Sequence, residues 1–147
     1  MNRTALRKIH AIAGILGFLC ITAFWSTTLI SELFLSHYAV AVVKQSICYA
    51  LIVFIPLMVL TGLSGNKMGG KSQHPMIAAK RRRMPVIALN GVLIMAPCAL
   101  YLNHLAQTEQ FAAPSFYAVQ LLELLAGAGN LTLIGLNARD GLRIRKR

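Results

Sequence analysis

The chain has 147 residues, of which 56% are hydrophobic and only 13% charged, with a mean hydropathy of +0.62. A soluble domain normally carries about 25% charged residues, so the deficit points to the membrane class and to one domain spanning 1–147. The net charge of +11 does not read as a nucleic-acid footprint, because the cations sit in short clusters between long apolar runs rather than along one face. Cys20, Cys48 and Cys98 all lie inside apolar runs. An odd number so placed reads as small buried hydrophobes rather than a disulfide framework.

Four apolar runs follow in order: 9–33, 38–63, 84–105 and 115–136. Each reaches the length of about 20 residues that a helix needs to cross a hydrocarbon core about 30 Å thick. The first run reads as interrupted only by Ser and Thr. It follows Arg3, Arg7 and Lys8, yet it exceeds a signal-peptide core of about 7–15 residues and no A-x-A-like site follows, so it reads as a retained span. The second run contains Lys44, Gln45 and Pro56. Residues 64–83, polar and rich in Gly and Lys, read as the one substantial loop. Pro85 is placed to start the third helix and Pro97 to kink it. The fourth run follows the short polar turn 107–114, and a basic tail, 139–147, closes the sequence.

Of the 15 Lys and Arg residues, 14 fall on one side of this arrangement, and Lys44 is the exception. Neither 34–37 nor 106–114 holds a Lys or Arg. Positive charge collects on the cytoplasmic side, so the expected fold is an all-α, up-down-up-down four-helix transmembrane bundle, N-in and C-in, in a bacterial inner membrane.

Polar groups at membrane depth are costly and call for a partner or a function. Counting at about 1.5 Å per residue, Lys44 lies about six residues below the outer end of its span and Glu123 about eight below that of the fourth. The two therefore share an outer layer with Gln120. Asn90 and Asn130 share an inner one by the same count. Interhelical hydrogen bonding explains both layers, and a proton or ion path through Glu123 and Lys44 is the alternative. Ala126, Gly127, Ala128 and Gly129 favour close helix contact.

The histidines divide by side, with His10 and His74 on the inner side and His37 and His104 on the outer. Two per interface is the distribution that a bis-histidine haem b protein needs. They stand at span ends or in loops, however. His10 is the best ligand candidate, because it begins a helix expected to pack beside the inner ends of spans three and four. Met84 is its candidate partner across an iron. No nucleotide-binding, nucleophile-elbow, zinc-protease or C-x-x-C motif occurs. The run Lys80-Arg81-Arg82-Arg83 could bind anionic lipid head groups, but a role as topology anchor is enough on its own and is the preferred reading.

The segments Ile9 to Gly14, Val43-Lys44-Gln45, Lys80 to Met84, Asn90-Gly91, Phe116 to Gln120 with Glu123, and Gly135 to Gly141 together resemble a family of small four-span bacterial integral membrane proteins. The resemblance runs over nearly the whole chain. It implies topology and location and adds no chemistry. The layout is also similar to that of cytochrome-b-type four-helix proteins, an analogy of fold alone. The functions to weigh are therefore a b-type haem electron carrier, a non-catalytic accessory or assembly subunit of a larger membrane complex, and a proton-coupled small-solute transporter. Expected partners are the lipid bilayer, other membrane subunits or a second copy, and no nucleic acid.

Overall fold

The computed structural model describes residues 2–70 and 74–145. Long apolar sequence is converted into helix because a backbone removed from water must bond to itself. Helix α1 spans Arg3–Phe34, α2 His37–Gly69, α3 Pro75–Asn90, α4 Ala96–Gln107 and α5 Pro114–Arg145. A π-helical turn, Gly91–Met95, joins α3 to α4, so the two run on as one unit. The described chain thus has four helical units long and apolar enough to cross a membrane.

Local chemistry sets the ends. Asn2 accepts a hydrogen bond from the Thr4 amide, and Ser36 from that of Ala39. These are side-chain caps for the first free amides of α1 and α2. Pro75 occupies the first turn of α3, where its missing N–H costs nothing. Gly70, at φ +44°, takes the chain out of α2 through a conformation that disfavours a Cβ.

The helices overrun the apolar stretches, since hydrogen bonding along a helix does not stop where polar residues begin. Two expectations change as a result. The loop anticipated over 64–83 is helical as far as Gly69 and again from Pro75. Pro85, expected to start a helix, lies inside α3 because Pro75 has taken that place. The basic segment from 139 likewise continues α5 as far as Arg145. Near Pro97 the chain makes a π turn, in which the Ala96 amide bonds the Gly91 carbonyl. A proline ring crowds the carbonyl four residues before it, and widening the preceding turn relieves that clash.

Successive contacts set the register. His10 meets Thr61 and Ser64, Gly17 approaches Met58, and Phe24 packs edge-on against Phe54. Thus α1 and α2 pack antiparallel to one another. Between α3–α4 and α5 the pairs are Arg83 with Asp140, Asn90 with Asn130, and Tyr101 with Ser115. The turns at 35–36 and 108–113 meet at one end, where His37 stacks on Phe111 with 4.3 Å between centroids. Below them Val40, Leu102, Leu105, Ala106, Phe111 and Phe116 form a dry cluster. This is the turn end. Lys80, Arg83 and Asp140 mark the opposite, basic end. Ile15, Ile52, Leu93 and Leu125 point outward, so large apolar side chains cover the flanks of the helices.

Candidate functional site

Polar side chains gather in three layers between the turn end and the basic end. The first lies directly beneath the dry cluster. Lys44 is two turns into α2 and only 1% exposed. Its Nζ donates to Glu123 Oε2 at 2.9 Å and to Gln120 Oε1. Gln120 and Glu123 stand three residues apart and so share one face of α5. A buried ammonium tolerates removal from water only when paired and hydrogen-bonded, and here both conditions hold.

The first run also holds an acidic residue, Glu32, nearer the turn end than Lys44. Reading that run for Ser and Thr alone passes over it, because it is the penultimate residue of the stretch. Glu32 interacts electrostatically with Lys44, Glu123 and His37. Its Oε1 is buried without a hydrogen-bond partner, and so is Gln120 Nε2. The available signal was composition, since the whole sequence has four acidic residues and one of them ends an apolar run.

The second layer is built from amides. Asn90 Nδ2 donates to Asn130 Oδ1 and to the Ala126 carbonyl, both at 2.9 Å. Asn130 Nδ2 donates in turn to the Ile87 carbonyl at 3.3 Å, beside the π turn. Close approach here depends on Gly127, where a Cβ would stand 2.9 Å from Trp25 Cδ1. The Trp25 indole N–H reaches the Leu124 carbonyl at 3.0 Å and ties α1 to α5.

The third layer is at the basic end. Arg83 Nη1 pairs with Asp140 Oδ2 at 2.7 Å and reaches Asn137 Oδ1 at 3.4 Å. Arg139 holds the other carboxylate oxygen at 3.3 Å. Sequence reasoning counted these arginines as topology charges and missed the pairing.

The residues nominated as haem ligands lie at separate places in the fold. His10 Nδ1 lies 3.1 Å from both the Thr61 carbonyl and Ser64 Oγ. Its ring rests on α2, and Lys80 of α3 is near enough to act on it electrostatically. A Cβ at Gly65 would stand 3.0 Å from His10 Cε1 and 3.9 Å from Nε2, so the ring lies close against α2. Met84 also packs on α2, its methyl 4.0 Å from where a Gly62 Cβ would be, while its sulfur accepts from Asn137 at 3.5 Å. His37 stacks on Phe111 at the turn end, and His104 is exposed near the end of α4. Among the described residues no group of three or more His, Cys, Asp or Glu could hold a metal ion. The three cysteines are free thiols.

A cleft of ≈ 550 Å³ opens at the turn end, lined by His37, Gln45, Gln107, Glu109 and Phe111 among others. Glu109 there adopts φ +56° in the turn that precedes α5. Comparison with known proteins returns no matching family model, no matching curated protein and no matching solved structure.

Proposed function

We propose that this chain is a multi-pass protein of a bacterial-type inner membrane, serving as a non-catalytic accessory or assembly subunit of a larger membrane complex. In this reading it is an up-down-up-down four-helix bundle with both termini cytoplasmic. The observation that carries the proposal is how its polar side chains are used. At membrane depth they bond one another across helices, Lys44 with Glu123 and Asn90 with Asn130. Such groups hold helices together in lipid, where apolar burial gives no preference for protein over solvent. A transporter working through Glu123 would keep that carboxylate unpaired, whereas it is bonded to Lys44.

The orientation rests on the 14 cations that fall on one side. Arg81 and Arg82 are solvent-facing at the basic end and suit anionic head groups, each worth about 1 kcal/mol near a charged surface. The remaining partners are other membrane subunits or a second copy, docking against the apolar flanks.

The test is the native mass of the chain after gentle extraction from its own membranes. An accessory subunit migrates with other membrane proteins, identified by mass spectrometry. A chain recovered wholly as an isolated monomer, at undiminished yield, overturns the proposal. Reporter fusions following Arg147 and within 64–83 check the orientation, and both are expected on the cytoplasmic side.

A further inference from the structure

We infer that the cleft at the turn end binds a primary ammonium group, with Glu109 as its counter-charge. The cleft measures ≈ 550 Å³, within the range of about 300–1,000 Å³ that small-molecule sites occupy. Its sign follows from what surrounds it. Neither 34–37 nor 106–114 holds a Lys or Arg. Lys44, the one such residue in this half, is buried and bonded to Glu123 and Gln120. Glu109 is the one acidic residue of the lining. Its side chain is exposed and, among the described residues, takes part in no hydrogen bond or ion pair. A cleft lined by one sign of charge concentrates ligands of the other.

The turn itself has no use for a glutamate. Past the end of α4 the Glu109 and Gln110 amides donate to the Ala106 and Leu105 carbonyls, and Glu109 takes φ +56°. This is the left-handed position that closes a helix, where glycine is the residue without penalty. Local structure therefore does not account for the carboxylate. The polar groups beside it agree with it in kind. Gln107 Nε2 donates to the Ala41 carbonyl at 3.0 Å and to Asn103 Oδ1 at 3.3 Å. A carbonyl can only accept, so the amide orientation is fixed and Oε1 is what Gln107 has left to offer. Gln45 Nε2 donates to the Tyr49 hydroxyl at 3.1 Å and keeps its Oε1 in the same way. Carboxylate and amide oxygens accept, so the ligand has to donate. A primary ammonium carries one charge and three N–H donors on a single centre, whereas a quaternary one carries none. Ala41, Val42 and Phe111 supply an apolar wall for the carbon chain behind it.

Such a group reaches the turn end from two sources, a free alkylamine or the head group of an aminophospholipid. The test is calorimetric titration of the full chain with butylammonium chloride, in nanodiscs of phosphatidylcholine, whose head groups have no N–H. Saturable binding is expected, with none for tetramethylammonium or butyrate. Glu109→Gln should weaken the affinity about fivefold, the equivalent of about 1 kcal/mol for an exposed ion pair. Glu109→Gly removes the same charge while relieving the left-handed backbone. It should unfold no earlier than the parent and bind as weakly as Glu109→Gln, so misfolding cannot stand in for the loss. In nanodiscs of phosphatidylethanolamine a head-group ligand lowers the apparent affinity for butylammonium, whereas equal affinity in the two lipids identifies the free amine. Either result upholds the ammonium site and names its source. No saturable binding to the parent overturns the inference, as does undiminished binding to Glu109→Gly or equally tight binding of tetramethylammonium. The accessory-subunit reading stands in each of those cases, because it rests on the buried layers and not on the cleft.

Discussion

Two ion pairs of similar length stand at opposite ends of the molecule, in very different surroundings. Lys44 and Glu123 are 2.9 Å apart with side chains 1% and 11% exposed. Arg83 and Asp140 are 2.7 Å apart, but the arginine is 23% exposed. Coulomb attraction at about 4 Å grows from about 1 kcal/mol in water to about 4 kcal/mol at an effective dielectric of about 20. Length alone therefore says little about what each pair is worth. Redundancy separates them further. Asp140 keeps Arg139 if Arg83 is lost, and Arg83 keeps Asn137 if Asp140 is lost. Lys44 has one bonded anion and one neutral amide, beneath a dry cluster.

The largest effect should therefore fall on the turn end. Glu123→Gln strands a buried ammonium, and the loss of one partner in such a pair costs about 3–5 kcal/mol. Adding Lys44→Met should recover much of that stability in reversible unfolding from micelles. A double-mutant coupling near zero would show that the contact contributes nothing.

The amide layer between the two pairs sharpens the ranking. Asn130→Ala removes a neutral acceptor, while Asn90 retains the Ala126 carbonyl. Interhelical hydrogen bonds of this kind average about 0.6 kcal/mol and reach about 1.7 kcal/mol. The expected loss is about 1 kcal/mol on that scale. A loss equal to that of Glu123→Gln in the same assay would mean that charge is not what distinguishes the layers.

The smallest effect belongs to the basic end. Arg83→Gln should cost less than about 1 kcal/mol, as partly exposed pairs do. That cost should shrink as salt is raised, because exposed charges are screened over about 10 Å at 0.1 M ionic strength. The coupling of Lys44 to Glu123 should not respond. If both respond equally to salt, the turn-end pair is reached by water and the contrast fails.

Much of this arrangement was legible in the sequence because depth along a helix is simple arithmetic. Each residue adds about 1.5 Å, so counting from the span ends sets Lys44 level with Glu123 and Asn90 level with Asn130. In the structure the members of each pair are bonded. Glu32 lay outside that count because a reading of the first run for Ser and Thr alone passes over it. Pro85 misled for a related reason. A proline marks a place where a helix can begin without loss, and Pro75 filled that role ten residues earlier.

The sequence by itself determined that there are four long apolar helical units, which residues interrupt them and at what depth, and how the cations divide between their ends. Hydropathy and charge are properties of each residue, so they survive without knowledge of any neighbour. Tertiary structure alone decided azimuth, that is, which face of each helix meets which partner. It set the His10 ring on Gly65 of α2, joined Arg83 to Asp140, and tied the Trp25 indole to α5. Azimuth follows from how small and large side chains interlock between helices, from Gly17 against Met58 to Gly127 against Trp25. Interlocking of that kind belongs to pairs of surfaces and is not contained in either strand of sequence alone.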